Sequence, residues 1–483
     1  MTRPIPLALL LVVVVVLSAL VVVGPLSAEA LVQQAQSAEV FADSVCVNTH
    51  FGYAGTAWVT NGTLLIELIA EAGIRNIRES FDEVGLALAA KGIKMNYGIA
   101  ELDWNTDSNI DTTRQIVAGI KEAINNGFLI DAILGVNEPD IMWSPKNIGP
   151  MDYMRDLHTL VRADPFFDDR WIVGAPVSVF DVLPANCCSQ WVDFGDMHPY
   201  PFDGNYLAET WETYDTIYRY FYFSNQPSVN LDQYPQQWTR CKAFYPDRPF
   251  FVTETGYTTK SVDGTSIRAH GLYVNRIFTE YFRLGIRRTC IYSLLNDHDD
   301  PADHESNFGL LFADYSPKPG FTALKNLMAL VRSDWAPSAT QLRPPTYALA
   351  TLDFGLNVSA VGDYDRTDYV HHLLLQKPDG LLLLLLWHEI SAEDVSDRRQ
   401  VFPPLMPTVL TLPTGYEVRV FAPNDGPGPS GNYTVDGRSS FTAGETRIEL
   451  LVPDHVIVLQ LKKEAATSLS ASAKASSWAT FMF

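Results

Sequence analysis

Two glutamates stand where an apolar run stops. Glu138 closes "FLIDAILGVNEP" (128–139), and Glu254 closes the strand-like part of "PFFVTETGY" (249–257). Carboxylates at the ends of parallel strands converge on one mouth if those strands close into a barrel. The chemistry that needs two such groups face to face is cleavage of a glycosidic bond. One acid protonates the departing oxygen, while the other attacks the anomeric carbon or readies a water to do so. A separation of about 5 Å implies retention through a covalent sugar ester, and a wider one implies inversion.

The elements that must position them follow a repeating pattern. Eight strand-like runs occur at 44–50, 74–80, 93–99, 129–138, 171–177, 191–198, 249–255 and 288–295. Helix-period stretches at 60–72, 83–91, 112–125, 151–163, 207–222, 268–284 and 319–332 alternate with them, which is the signature of βα units and a parallel sheet. Asp111 is placed to cap the third helix, and Gly73, Gly92, Gly127 and Gly285 to stop four of them. The fold class is α/β, a (β/α)8 TIM barrel in which Glu138 ends strand four and Glu254 strand seven. From about residue 335 the texture changes to short alternating or apolar strands, with a hairpin signal at Pro378-Asp379-Gly380. A second, smaller C-terminal β-sandwich is predicted there. The divisions are 1–30 as an export signal, 40–334 as the barrel, 335–463 as the sandwich and 464–483 as a disordered tail.

"VNEP" and "VTETGY" together resemble the clan A glycoside hydrolases, retaining (β/α)8 enzymes with an Asn-Glu pair at the end of strand four and a Glu at the end of strand seven. The resemblance implies Glu138 as general acid/base, Glu254 as nucleophile and Asn137 as a donor to the sugar 2-hydroxyl. It further implies that Arg78, in "IRES", lies near the nucleophile. His198 and Tyr200, in "DMHPYP", fall where clan members often place contacts to that nucleophile. Many members carry a Trp on strand eight as a floor for the sugar, whereas "YSLLND" here offers Leu294, Leu295 and Asn296. The implied activity is retaining hydrolysis of a β-linked neutral glycan or glycoside, without cofactor or metal.

Sugars stack their C–H faces on aromatic rings, so Trp58, Trp104, Trp143 and Tyr257 are candidate subsite walls, Trp143 foremost, with packing as the alternative use of each. His50 and Asn48 in "VNTH", and Glu101 and Asp103 in "AELDW", sit at strand ends and are candidates to bind hydroxyls or to cap loops. The acid- and histidine-rich "NDHDDPADHE" (296–305) reads as a substrate rim rather than a metal site, because its spacing matches no calcium or zinc pattern.

The formal charge of −21 argues against nucleic acid and strongly anionic polymers as partners. Polysaccharides, oligosaccharides or glycosides remain. The early Arg3, the apolar run from Leu7 to Val23 and the Ala28-x-Ala30 pattern form a secretory layout, or a membrane anchor if it stays uncleaved, being close to the ~20 residues of a spanning helix. A secreted or cell-surface glycoprotein is therefore expected, with sequons at Asn61, Asn357 and Asn432. Of the five cysteines, Cys241 with Cys187 or Cys188 is expected to form a loop disulfide, and Cys46 and Cys290 to be buried thiols. A rival reading is a catalytically weak or inactive barrel that binds carbohydrate at a cell surface.

Overall fold

The computed structural model describes residues 30–80, 82–99, 110–138, 150–176, 185–200, 243–262, 264–393, 399–426, 434 and 438–464. The chain opens with two short strands, β1 (Ala30–Gln34) and β2 (Gln36–Ser37), and helix α1 (Ala38–Ser44). The eight expected barrel strands then follow: β3 (Val45–Asn48), β4 (Asn76–Glu79), β5 (Lys94–Ile99), β6 (Ile130–Val136), β7 (Trp171–Val173), β8 (Gly195–Met197), β9 (Phe250–Thr255) and β10 (Arg288–Ile291). They form one parallel sheet in the order β7-β6-β5-β4-β3-β10-β9-β8, and a parallel bridge between Val173 and Phe194 joins its two edges into a closed barrel.

Helices α2 (Gly62–Glu71), α3 (Gly85–Ala90), α4 (Ile110–Asn125), α5 (Pro150–Arg162), α6 (Ile267–Arg283) and α7 (Pro319–Val331) alternate with the strands. Gly73, Gly92, Gly127 and Gly285 all take positive φ after helices, the left-handed turn that favours glycine at a helix end. Asp111 does not cap α4: it lies inside the first turn and pairs with Arg114 instead. The 207–222 helix falls outside the described residues, as do 1–29 of the export segment and 465–483 of the tail.

The C-terminal strands build two further sheets. One has the order β1-β11-β14-β17, where β11 is Thr351–Val358, β14 Met406–Thr411 and β17 Arg447–Val452. The other runs β16-β15-β18-β13-β12-β2, with β12 at Val370–Gln376, β13 at Leu382–His388, β15 at Tyr416–Phe421, β16 at Ser440–Phe441 and β18 at Ile457–Lys463. Residues 30–37 thus belong to the sandwich: Leu31 lies opposite Phe354, and Gln36 opposite Leu375. The predicted hairpin joins β12 to β13, with Gly380 at φ 89°.

The two sheets read differently in sequence because they are buried differently. Strand β14 alternates buried with half-buried positions and β17 buried with exposed ones, as a sheet with one wet face should. Every residue of β13 is buried. Leu384 and Leu386 pack into the sandwich interior, while Leu383, Leu385 and Trp387 join the core shared with the barrel. That double burial explains "LLLLLLW", a run that would be an error on a half-exposed strand.

Two cysteine assignments are corrected. Cys46 and Cys290 are disulfide-bonded, because the register of neighbouring β3 and β10 sets them side by side. Cys187 is bonded to Cys188, and Cys241 lies outside the described residues.

Charged groups fill the N-terminal end of the barrel. The Lys94 ammonium donates to Asp43 Oδ1 at 2.7 Å and Asp131 Oδ2 at 3.0 Å, and Arg288 Nη2 reaches the same acids at 3.2 and 2.8 Å. All four side chains are wholly buried. A second buried pair joins the domains: Arg276 on α6 grips Glu389 with Nη2 at 2.5 Å and Nε at 3.2 Å, and Trp387 Nε1 donates to Glu389 at 2.8 Å. Removing one member of such a pair strands the other in a dry interface. Arg276→Met should therefore destabilise the fold by about 3–5 kcal/mol, measured as a shift in the urea midpoint; an unchanged midpoint would show that the pair does not hold the domains.

Candidate active site

The C-terminal ends of the strands gather most of the described candidates into one mouth. Arg78, on β4, is the hub. Its Nη1 donates to Glu254 Oε1 and, at 3.1 Å, to Asn48 Oδ1, while Nη2 reaches Asn137 Oδ1 at 2.5 Å. Asn48 is thereby a buttress rather than a free hydroxyl binder, since its amide also donates to Thr253 O at 3.0 Å. Tyr200 OH donates to the other Glu254 oxygen at 2.7 Å. His198 is buried between the two acids, with Nδ1 2.7 Å from Glu138 Oε1 and 3.6 Å from Glu254 Oε2.

One oxygen from each of Glu138 and Glu254 and a ring nitrogen of His198 lie within 4.8 Å of one another. Two acids and an imidazole also make a set that could ligate a metal. Here, however, the Arg78 guanidinium already supplies the positive charge at Glu254. Glu138 takes φ 37°, a conformation that costs a non-glycine residue on the order of 1 kcal/mol and marks functional positions.

The electrostatics separate the acids' neighbours. Burial would raise the Glu254 carboxyl, but His198 and Arg78, with the hydrogen bonds from Tyr200 and Arg78, outweigh it and pull the group down to about 2. Burial lowers His198, yet Glu254 and Glu138 overcome this and raise it above its ordinary value. Asp196, wholly buried on β8, is pushed up to about 7 by burial, against the opposing pull of His198 and the Thr253 hydroxyl. Glu254 is thus an ionised nucleophile candidate beside a hydrogen-bonded Glu138.

His50 reaches the same mouth from the end of β3. Its ring stacks on Tyr53 at 4.2 Å and sits 5.2 Å from Tyr292 and 5.4 Å from Trp58. Trp58 is fully buried and donates to Asp297 at 2.6 Å, so it packs the rim instead of facing a sugar. Lys318 fastens the "NDHDDPADHE" loop, donating to Asn296 Oδ1 at 2.9 Å and to Asn307 O at 3.0 Å.

Tyr257 is not brought to the acids. It is 2 % exposed and packs on Tyr273 with ring centroids 5.1 Å apart, beneath the domain interface. Three positions beyond Glu254, it leaves the barrel interior. Trp143, Trp104, Glu101 and Asp103 lie outside the described residues, as does Pro139 of "GVNEP".

Four further residues shape the site. Tyr292, immediately after β10, carries the aromatic ring on strand eight, 6.3 Å from Tyr200 and 5.4 Å from Phe308. The cue was available in "CIYSLL", but the aromatic comes two residues before the leucines. Gly256 of "TETGY" has a packing reason, since a Cβ there would stand 2.3 Å from Tyr292 O. Asp196 and Thr253 line the interior behind His198.

No family model matches the chain, and no curated protein matches it in sequence. Solved structures do share its fold. The GH39 enzyme from Xanthomonas axonopodis pv. citri is 16% identical, with a TM-score of 0.52 over 89% of this chain and 96% of that one. A monomeric beta-xylosidase from Caulobacter crescentus is 15% identical, with a TM-score of 0.52 over 90% of this chain and 98% of its own. A glucosidase from Croceicoccus marinus is 10% identical, with a TM-score of 0.51 over 91% of this chain and 99% of that one. The barrel-plus-sandwich architecture read from the sequence is therefore that of these structures.

In Arg78→Met, burial keeps acting on Glu254 while one opposing charge is gone, so its carboxyl should titrate about one to three units higher, followed by its 13C shift. An unmoved titration would remove Arg78 as counter-ion. Since the folded value lies below the ordinary 4.5, Glu254 stabilises the wild-type fold above pH 4.5, and that contribution is lost as pH falls toward 2.

Proposed function

We propose that this chain is an exported retaining glycoside hydrolase that cleaves a β-linked neutral glycan or glycoside through a covalent glycosyl-enzyme intermediate. The observation that carries the reading is the approach of Glu138 and Glu254 oxygens to within 4.8 Å. Retaining enzymes hold their carboxyls about 5–5.5 Å apart, whereas inverting ones leave about 6.5–9.5 Å for a water. In the first step Glu254, kept ionised by Arg78 and Tyr200, attacks the anomeric carbon as Glu138 gives its proton to the leaving oxygen. In the second, Glu138 takes a proton from water, the resulting hydroxide attacks the same carbon, and the bond to Glu254 breaks. Asn137, fixed by Arg78, is placed to donate from its amide to the 2-hydroxyl, and Tyr292 with His50 offers ring surface for the sugar.

Neutral substrates suit a chain of formal charge −21, and the glucosidase and beta-xylosidase named above act on such sugars by their descriptions. Export rests on the N-terminal apolar run and small-residue pattern. An exposed sequon asparagine, Asn61, which caps α2 by accepting from Leu64 N at 3.3 Å, agrees with it. The intact acid pair with its cation favours turnover over the inactive carbohydrate-binding alternative.

Incubation with a panel of 2-fluoro glycosides followed by peptide mass analysis should find the adduct on Glu254; a label on any other residue overturns the nucleophile assignment. Glu254→Ala should lose turnover and regain part of it with azide, with inverted product. Glu138→Gln should slow hydrolysis of unactivated glycosides by about 10²–10⁴ and spare the glycosylation step on leaving groups that need no proton. Equal loss on both substrates would remove the acid role.

A further inference from the structure

Behind the acid/base lies a line of buried polar groups that catalysis by two carboxylates does not require. Asp196 Oδ1 accepts from Met197 N at 2.8 Å and Thr253 N at 3.1 Å, and its Oδ2 accepts from the Thr253 hydroxyl at 2.6 Å. Thr253 Oγ1 lies 2.9 Å from His198 Nε2, and His198 Nδ1 lies 2.7 Å from Glu138 Oε1. The groups come from three strands: Asp196 on β8 with His198 just after it, Thr253 on β9, and Glu138 just after β6.

We infer that Asp196 is a positioning residue that fixes which nitrogen of His198 carries hydrogen, and so holds the exchangeable proton on the line between His198 and Glu138. A threonine hydroxyl has one hydrogen to give. When Asp196 is ionised it takes that hydrogen, because a carboxylate can only accept. Thr253 Oγ1 can then meet His198 Nε2 only as an acceptor, so Nε2 keeps its hydrogen. Any remaining proton of the pair then lies on the line between Nδ1 and Glu138 Oε1. This rests on the glycosidase reading only for its catalytic consequence, since the hydrogen placement follows from the chain itself.

The charged and titratable groups around this line are Arg78 from β4, Glu254 from β9, Glu138 from β6 and Tyr200 after β8. Burial places the ionisation of Asp196 at about 7. The control therefore acts above that pH, where Asp196 is ionised.

An amide at 196 reverses the chain. In Asp196→Asn the side-chain oxygen keeps the two backbone N–H groups, the amide nitrogen donates to Thr253, and the hydroxyl turns to donate to His198 Nε2. Neutral His198 then carries its hydrogen on Nδ1 and holds Glu138 as a carboxylate. The alkaline limb of kcat/KM should fall by about one unit, and unactivated glycosides should react about 10²-fold more slowly above pH 7. Glycosides with activated leaving groups should be nearly unaffected in glycosylation.

The deciding measurement needs no turnover. In protein labelled with 15N-histidine, with His198 assigned by its absence in His198→Gln, the ring shifts above pH 7 should report Nε2–H in the wild type and Nδ1–H in Asp196→Asn. Thr253→Ser, which keeps the hydroxyl, should retain the wild-type pattern, and Thr253→Val should lose the preference. The same tautomer in wild type and Asp196→Asn, or identical behaviour of the Ser and Val variants, overturns the proposal. A tautomer switch in a protein that hydrolyses no glycoside would uphold the positioning and sink the glycosidase reading instead.

Discussion

The mouth depends on one cation being shared. Two carboxylates whose oxygens come within 4.8 Å repel each other by about 3–4 kcal/mol at an effective dielectric of ~20. Burial adds a further penalty to the charged form of each. Arg78 resolves the conflict on one side only: its guanidinium touches Glu254 and not Glu138, and its second arm goes to Asn137. A planar fork can do this where an ammonium could not, because two donors at fixed spacing set two acceptors at once. The asymmetry between two chemically identical side chains therefore begins with the direction in which one arginine points.

The same logic recurs at two other places. At the opposite end of the barrel, Lys94 and Arg288 balance Asp43 and Asp131. At the domain junction, Arg276 balances Glu389. Each is a buried ionic group that stabilises little over a well-packed apolar one, yet is expensive to break. The barrel interior is thus polar at both ends, and its geometry is specified by pairings that tolerate no slip in register. The sandwich depends instead on apolar packing, with β13 buried on both faces.

Much of this was legible. Strand ends with "NEP" and "TETGY" mark carboxylates at the mouth because parallel strands place their C-terminal residues together, and the positive-φ glycines mark helix ends because few other residues adopt that turn. Tyr257 was misplaced because residues just past a strand no longer obey its alternation. Tyr292 was overlooked because the floor for the sugar was sought at Leu294, Leu295 and Asn296, past the end of β10 at Ile291. The Cys46–Cys290 pairing, across 244 residues, depends on which strands are neighbours, and local composition does not encode that. Asp196 escaped for a subtler reason: an acid in the middle of a strand looks like a solvent-facing position, and only barrel closure turns it inward.

Residues 30–37 give the chain an unusual order of assembly. Ser37 donates to the Tyr347 hydroxyl at 2.9 Å across 310 residues, and β1 and β2 are edge strands of sheets whose other members all follow the barrel. At ribosomal rates of about 5–20 residues per second, the segment waits roughly 15–60 s for its partners to be made. Throughout that interval its backbone donors and acceptors stay open to any passing strand, so a chaperone that shields nascent segments has a defined client here: the short stretch that must outlast the synthesis of an entire barrel.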